Sequence, residues 1–511
     1  MKLRSVAVLG GGPGGLYAAR LLKLQYPECE VVVHEQTAPQ ATFGFGVGLA
    51  GRTQRNLREA DPSSLESIVD AAWPHDSGMA VGERRVVLPG DNLIAINRAV
   101  LLEVLRGHAE DIGVIVRSGS RVDVEDLEAD LVIAADGVSS ATRQRWAEDF
   151  GAEVATHDSL YLWCGTDFAL PSAVFRPVET EYGTFVAHAY PYQGDRSTFL
   201  IETDRETWSR AGFDRSTDET PWDESDQHSL AYLAKAFDEE LHGHPLIGNR
   251  TRWSQFRTVS CARWHRGNVV LLGDAVHTAH YSIGSGTKLA MEDAIALVRE
   301  LVRGEDLESA LVAYQDARRP AVEHLQDTAR RSMLWWDSFP WRLDLSVEQL
   351  LMSYMTRAGK VSIERFNSMA PEVVGQALAA YAGVDRVQVP ASGLEDWVLS
   401  RPLVRDGAGW TQRLVDPRDL PAPFRVDVDD AWSLDADRVV TALATAPTLA
   451  GAPTVLGCAR DGGAVLTMFD VAERLRRDHE VVVAAVLPEE FKDLAAGALA
   501  SERVDLVAWC T

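Results

Sequence analysis

The segment Arg4-Ser-Val-Ala-Val-Leu9 reads as an apolar strand that runs into Gly10-Gly11-Gly12-Pro13-Gly14-Gly15 and then a helix over Leu16 to about Leu24. Gly10, Gly12 and Gly15 match G-x-G-x-x-G. The first glycine permits a tight turn, the second lets the backbone approach a pyrophosphate, and the third lets the helix pack on the strand. A second strand, Glu30-Val-Val-Val-His-Glu35, ends in an acid about 20 residues past Gly15, where a ribose-binding carboxylate belongs. Strand, glycines, helix, strand and terminal acid together specify a nucleotide site. No arginine directly follows Glu35, so an adenosine with a free 2′-hydroxyl fits, as FAD and NAD both have.

The complement lies far along the chain. Asn268-Val-Val-Leu-Leu-Gly273-Asp274 is a short apolar strand ending in an acid, followed by a loop containing His277, His280, Tyr281, Gly284 and Gly286 and by a helix to about Arg303. Free N–H groups and the helix dipole make such a loop an anion site, and a carboxylate at the strand tip can accept hydrogen bonds from ribityl or ribose hydroxyls. Two further segments point to the same cleft. Leu131-Val-Ile-Ala-Ala-Asp136-Gly137 is a buried type of parallel strand ending in Asp-Gly, with Arg143 within reach. Arg98 opens a helix, where a cation is unfavourable with respect to the dipole; it is either a surface arginine or one that meets a ligand phosphate.

Composition excludes several classes. With 50 basic against 75 acidic residues among 511, the net charge of −25 disfavours nucleic acid and anionic membrane surfaces as partners. Five cysteines (Cys29, Cys164, Cys261, Cys458, Cys510) show no C-x-x-C spacing, as expected for reduced thiols in the cytoplasm rather than a disulfide framework or a metal site. No apolar run is long enough to span a bilayer.

Between the nucleotide segments the texture changes. Ala41-Thr-Phe43-Gly44-Phe45-Gly46-Val47-Gly48 is a loop of small and aromatic residues able to lie against a planar ring. Arg52, Arg55 and Arg58 follow at i, i+3 and i+6 of a helix, either a solvated face or an anion patch for a phosphate-bearing substrate. Leu160–Gly165, Gly183–Pro191 and Ser197–Glu202 read as antiparallel strands, with Thr184, Val186, His188 and Tyr190 on one face by alternation. That face is either a pocket wall or a solvated surface. Residues 213–227 read as a polar loop. After 303 the chain is mostly helical to about 383, with Trp335, Trp336, Phe339 and Trp341 as core; 386–430 reads as a linker, and 437–511 resumes an α/β rhythm.

With the glycine loop, Glu35, Arg98, Asp136-Gly137 and Gly273-Asp274 in this order, the chain resembles the single-component class A FAD-dependent aromatic hydroxylases. Within that class it is most similar to the salicylyl-CoA and anthraniloyl-CoA 5-hydroxylase branch. The violacein-pathway tryptophan-type hydroxylases are a looser relative. The resemblance covers about residues 1–370. It is carried by Ala41–Val47, Gly183–Tyr190, Ser197–Glu202, Gly243-His-Pro-Leu246, Arg263-Trp-His-Arg-Gly-Asn268 and the run Leu272–Asp293. It implies an α/β fold: a Rossmann-type FAD-binding domain with an inserted antiparallel-sheet substrate domain, a helical segment and a small C-terminal α/β extension. The expected boundaries are 1–157 and 258–385 for the two FAD-binding parts (the second including the helical segment), 158–257 for the substrate sheet, 386–436 for a linker and 437–511 for the extension. Two departures stand out. Aryl-CoA enzymes often carry a C-terminal FMN-type barrel, whereas the tail here is too short for a whole one and is at most a remnant of its last strand–helix units. Tyr281 stands where many class A hydroxylases have proline, an aromatic that the aryl-CoA branch accepts.

The resemblance further implies that NADH or NADPH reduces FAD, that O2 adds at flavin C4a, and that the hydroperoxide hydroxylates an electron-rich ring. Gly10, Gly12, Pro13, Gly14, Gly15, Glu35 and Gln36 would hold the ADP half. Phe45, Gly46, Arg98, Asp136, Gly137, Gly273 and Asp274 would line the rest of the cofactor. The amides of Gly284, Ser285, Gly286 and Thr287 would meet a pyrophosphate or the flavin O2 edge. His188, Tyr190, His280 and Tyr281 are candidates to draw off the ring proton, each with inert packing as the alternative. Ser282 is a candidate to orient the ring, and Arg52 and Arg55 to bind the substrate's phosphates. No metal is expected. The expected partner is a small aromatic substrate borne as a CoA thioester, and the expected state is a monomer or homodimer. The alternatives are a free aromatic or indole-type substrate and a non-catalytic FAD-binding subunit. Halogenases of this fold usually show a W-x-W-x-I-P stretch, which the chain lacks.

Overall fold

Parallel strands buried on both faces need apolar residues at nearly every position, and the inner strands of the first sheet meet that demand. The computed structural model describes residues 2–38, 45–90, 93–284, 286–405, 407–446, 452–457 and 461–510. It divides into two compact units, Met1–Glu83 with Val87–Met333, and Arg84–Val86 with Leu334–Thr511. In the first unit a six-stranded sheet runs in the order His265–Arg266, Val269–Leu271, Leu131–Ala134, Ser5–Leu9, Glu30–Glu35, Ile115–Ser118. All neighbours are parallel except His265–Arg266, which is antiparallel to Val269–Leu271. Val6, Val8, Val31, Val33, Leu131, Ile133 and Val270 are buried along it. The expected glycine-loop helix is Pro13–Gln25, and the helix after Asp274 is Gly286–Arg303. Gly14 lets them meet: a Cβ there would lie 2.7 Å from Leu272 Cδ2 and 3.0 Å from Ala290 Cβ.

The second large sheet of this unit places Leu246–Ile247, Ala152–Thr166, Arg196–Thr203, Gly183–Gln193, Val174–Thr180 and Ser77–Val81 side by side in that order. Ser254–Cys261 also pairs with Ala152–Thr166. The sheet therefore begins at 152 and ends at 261 rather than at 158 and 257. It also recruits Ser77–Val81, from the stretch expected in the first FAD-binding part, through the parallel pair Phe175 and Met79. One face carries Leu160, Leu162, Cys164, Phe185, Ala187, Phe199 and Ile201 into a core with Phe213, Leu230, Leu233, Phe237 and Leu241. That core explains a second correction. Residues 213–227 are not simply a loop: Phe213–Glu219 is a helix anchored by the fully buried Phe213. The opposite face, offset by one residue on each strand, carries Tyr161, Trp163, His188, Tyr190, Leu200 and Glu202.

In the second unit Trp335, Trp336 and Phe339 are buried, as expected of core residues. Four parallel strands, Phe424–Arg425, Thr454–Gly457, Val483–Leu487 and Leu506–Trp509, are neighbours in sequence order. The expected linker is not one. Leu403, Trp410, Val415 and Leu420 pack on Val455, Ala484, Val486, Leu506 and Ala508, so the irregular stretch covers the sheet's apolar surface. The division of the chain falls at 333/334, inside the helix Leu307–Asp337, rather than at 385/386. Among the described residues no helix is long and apolar enough to cross a membrane.

Candidate active site

The glycine loop is shaped by close approaches that only glycine survives. Gly10 has φ +103°, and a Cβ there would lie 2.2 Å from the carbonyl oxygen of Ala135; at Gly15 it would lie 2.1 Å from that of Gly10. At Gly12 it would meet nothing within 4 Å. Gly10 and Gly15 are thus demanded by the protein itself, whereas Gly12 faces open space at the N-cap of Pro13–Gln25, where no side chain occupies the helix amides. That is the volume a pyrophosphate needs. Glu35 stands beside it, accepting from Gly11 N and Thr37 N, both at 2.7 Å. Gln36 is exposed at the strand's end.

Across the loop, Asp136 accepts from Thr142 N and Oγ1 through one oxygen, while its buried Oδ1 has no partner among the described residues. Gly137 (φ +79°) leaves open space beyond. Arg143 clamps the region, donating to the carbonyls of Ala275 (2.8 Å), Asp274 (3.3 Å) and Val138 (2.6 Å). Gly273 (φ +62°) turns the chain, and its N–H meets the fully buried Asp293, which also holds His277 Nε2 at 2.8 Å and Arg318 Nε at 2.8 Å. This network fixes the loop from beneath and leaves the Asp274 side chain exposed toward the cleft. Protein still surrounds that carboxyl closely: desolvation pushes it above the usual carboxylate range, against the pull of His277, Arg98 and Arg143. Arg98 is half-buried near Asp274 and Tyr190, and its guanidinium makes no hydrogen bond or ion pair among the described residues. An open volume at Gly12, a partnerless Asp136 oxygen, an exposed Asp274 and an unengaged Arg98 fit FAD. Gly284 (φ +58°) and Gly286 also face open space, and Thr287 is half-buried in the first helical turn; Ser285 lies outside the described residues. Of the loop expected to lie against a ring, 41–44 are likewise outside them. Phe45 packs with Ala95 and Tyr192, and Gly46 begins a strand.

On the sheet face above, three side chains from different segments converge. Tyr281 donates to Glu202 Oε2 at 2.6 Å, and His188 Nε2 lies 3.1 Å from Glu202 Oε1. Burial opposes ionisation of Glu202, but His188 and the Tyr281 hydroxyl outweigh it and hold the carboxyl below its usual range. The Tyr281 ring sits 5.0 Å from Tyr161, 5.9 Å from Phe256 and 3.9 Å from His280, centroid to centroid. His280 is buried; desolvation pushes it down to about 3, so its ring is neutral. Its Nδ1 meets Ser282 Oγ at 3.0 Å, and its Nε2 has no partner among the described residues. Tyr190 stands apart from this cluster. It donates to the Gly46 carbonyl at 2.7 Å, and burial raises it to about 12, so its hydroxyl is committed to holding the Gly46–Leu49 strand. Arg52 and Arg55 are exposed on the helix Gly51–Ala60 and form no ion pair among the described residues.

Glu202 was not among the expected site residues. The only signal was its place at the end of an apolar strand on the His188 face, where a solvated surface would equally explain an acid.

The FAD binding domain family matches residues 94–329. A salicyloyl-CoA 5-hydroxylase from a Streptomyces species is 41 % identical over 339 residues, 65 % of each chain, so the chain spans just under two thirds of that relative. A 3-hydroxy-4-methyl-anthranilyl-(aryl-carrier protein) 5-monooxygenase from Streptosporangium sibiricum is 40 % identical over 359 residues, 70 % of this chain and 95 % of the relative. A protodeoxyviolaceinate monooxygenase from Chromobacterium violaceum is 31 % identical, over 69 % of this chain and 94 % of the relative. Among solved structures, 2-methyl-3-hydroxypyridine-5-carboxylic acid oxygenase shares the fold at a TM-score of 0.53 with 21 % identity, over 64 % of this chain and 90 % of that one. A flavin-dependent halogenase shares it at 0.52 with 17 % identity, over 75 % of this chain and 73 % of that one, which speaks for the fold alone. Sequence likeness over nearly the whole length of two monooxygenases, on a fold whose open volume and free polar groups suit FAD, places this chain in the family of FAD-dependent aromatic monooxygenases, with FAD as cofactor and NADH or NADPH as co-substrate.

Proposed function

We propose that the enzyme hydroxylates an ortho-hydroxy or ortho-amino benzoyl group carried as a CoA thioester, at the carbon para to the donor group. The observation that carries this reading is the 41 % identity to a salicyloyl-CoA 5-hydroxylase. Bound FAD supplies an electrophilic oxygen from O2. The residues of the chain manage the ring. Tyr281 donates a 2.6 Å hydrogen bond to Glu202 Oε2, which leaves the Tyr281 oxygen lone pairs to accept from the ring's O–H or N–H. As the ring is attacked its donor group becomes acidic. Its proton passes to Tyr281 while the tyrosine proton moves onto Glu202, a general-base task shared across one hydrogen bond. His188 steadies the carboxylate from the other side. His280, neutral and buried, and Ser282 shape the wall. Arg98, Asp136, Asp274, Glu35 and the glycines hold FAD. A cytoplasmic setting suits the free cysteines Cys29, Cys164, Cys261 and Cys510.

Arg52, Arg55 and Arg58 are exposed on one helix face. They offer the CoA phosphates a local positive patch on a chain of net charge −25, whose long-range repulsion is screened beyond roughly 8 Å at physiological salt. Arg52→Ala and Arg55→Ala should therefore raise the thioester KM more than they lower kcat, as loss of ground-state binding does. The relative that acts on an aryl-carrier protein favours a second reading, in which the aryl group arrives on a carrier protein. Substrate-stimulated NAD(P)H oxidation, compared for aryl-CoA thioesters, carrier-bound aryl groups and free acids, decides between them. Free salicylate, anthranilate or an indole turned over as well as any thioester would defeat both thioester readings.

A further inference from the structure

A site built to take an aromatic carboxylate ordinarily presents an arginine or lysine to it, because an ionised carboxylate loses more on desolvation than a neutral group does and needs a charge partner. The ring face of this enzyme instead places a carboxylate there, with His188 beside it. Glu202, 6 % exposed, sits at its centre. The groups that face the carboxylate come from three elements. His188 projects from the strand Gly183–Gln193, Tyr281 and His280 from the loop beyond Asp274, and Tyr161 is the cross-strand neighbour on Ala152–Thr166. Glu202 makes no ion pair with arginine or lysine among the described residues. Asp274, close enough to act on Tyr161, is a second carboxyl nearby. Of the cationic side chains nearest by, Arg143 donates to backbone carbonyls, Arg98 lies beside Asp274, and Arg257, which donates to Ser139 Oγ at 3.0 Å, acts electrostatically on Tyr161 without pairing with Glu202.

We propose that Glu202 is a specificity-determining residue: its buried carboxylate, fixed by Tyr281 and His188, repels aryl substrates bearing a free ring carboxylate and admits those in which the same carbon is masked as a neutral thioester or amide. The inference rests on the reading of Tyr281 and Glu202 as the ring-facing pair, and it gives the thioester a physical purpose beyond its phosphates. In salicylate the carboxylate is ortho to the donor group. A ring whose hydroxyl bonds to Tyr281 therefore brings that charge within a few ångströms of Glu202, where charges of like sign in a partly dry site repel strongly. A thioester carbonyl in the same place carries no net charge.

The test separates charge from the CoA moiety. Salicylamide and salicylate share ring and donor group, lack CoA, and differ in charge at neutral pH. Their dissociation constants for the FAD-loaded enzyme can be read from the perturbation of flavin absorbance and, independently, by equilibrium dialysis. Salicylamide should bind the native enzyme at least about tenfold more tightly than salicylate, a gap of the size that one modest charge repulsion produces. In Glu202→Gln, which keeps an acceptor for Tyr281, the gap should shrink to within about threefold through tighter salicylate binding. Glu202→Asp keeps the charge and should keep the gap, a split between the two variants that a purely structural role for Glu202 would not give. Equal binding of the two ligands by the native enzyme overturns the proposal without any variant, and so does an unchanged gap in Glu202→Gln. Failure of the CoA reading shows separately, as a CoA thioester that binds no better than salicylamide.

Discussion

Gly12 and Gly15 belong to one motif, yet the structure assigns them different debts. A Cβ at Gly15 would collide with the Gly10 carbonyl oxygen at 2.1 Å, whereas one at Gly12 would enter open space. Gly15→Ala should therefore destabilise the fold itself, by roughly 1–3 kcal/mol for a forced backbone shift. Gly12→Val should fold normally and empty the site of FAD. Flavin absorbance against circular dichroism separates the two, and full FAD occupancy in Gly12→Val would remove the assignment of the loop. His280 supplies a stability test. Its ordinary value is 6.5 and burial pushes it down to about 3 in the folded enzyme, so the unfolded chain takes up a proton first as pH falls. The stability it contributes is complete above pH 6.5 and is lost as pH drops toward 3. The Tm of His280→Gln should depend less steeply on pH across that window, and a parallel dependence would contradict the buried neutral ring. At this scale the sequence was most legible where backbone geometry dictates the residue, as at Gly10 and Gly15. It was least legible where chemistry comes from convergence: His188 and Glu202 lie on neighbouring strands and Tyr281 on a distant loop, so no spacing could announce that they share one polar cluster.

Among elements, the helix Pro13–Gln25 is tied to the start of the helix Pro62–Asp70 by a buried pair, Arg20 Nε to Asp61 Oδ2 at 2.6 Å. Burial alone would raise Asp61, but hydrogen bonds from Arg20, Ser64 and Ser63 dominate and bring it down to about 2 from 3.8. That stabilisation is present above pH 3.8 and lost as pH falls through 2. Asp61→Asn leaves the Arg20 charge buried without its partner and should cost roughly 3 kcal/mol in denaturant unfolding near pH 7; a cost near zero would show the pair to be dispensable. Strand alternation in Gly183–Gln193 and Arg196–Thr203 was readable because one face had to be apolar. The helix Phe213–Glu219 was hidden because it is polar except for the Phe213 anchor. In the C-terminal unit, Asp461 caps the helix Gly462–His479 by accepting from Ala464 N at 2.9 Å. An acid on that amide repels the phosphate that a second dinucleotide site would put there.

The whole chain is less modular than its composition suggests. Prolines, glycines and charges made 386–436 look like a linker, but an irregular backbone can still bury Leu403, Trp410, Val415 and Leu420 against a sheet. The helices Val347–Thr356 and Leu394–Leu399 pack on Lys492–Ala500, and Thr356 contacts Ser501. The tail from about Ala391 lies beyond every cofactor motif, so it is expected to be dispensable for flavin chemistry, but its removal meets a folding constraint. A fragment of residues 1–390 should expose the apolar faces of its last helices and aggregate or melt below the full chain; a soluble fragment with an unchanged melting profile would contradict that packing. The FAD-binding half was legible because cofactor geometry imposes local motifs. The α/β alternation of 437–511 was legible too and is found in the strands Thr454–Gly457, Val483–Leu487 and Leu506–Trp509, whereas 386–436 was not, because its order comes from tertiary burial alone. The central claim concerns oxygen and the ring, and one measurement reaches both: incubating the FAD-loaded enzyme with salicylyl-CoA, NAD(P)H and 18O2, then determining the product's mass and substitution. The expected result is one labelled oxygen on the ring carbon para to the hydroxyl, with the thioester intact. Unlabelled product, oxygen at another position, or labelling of free salicylate as fast as of the thioester would contradict the account.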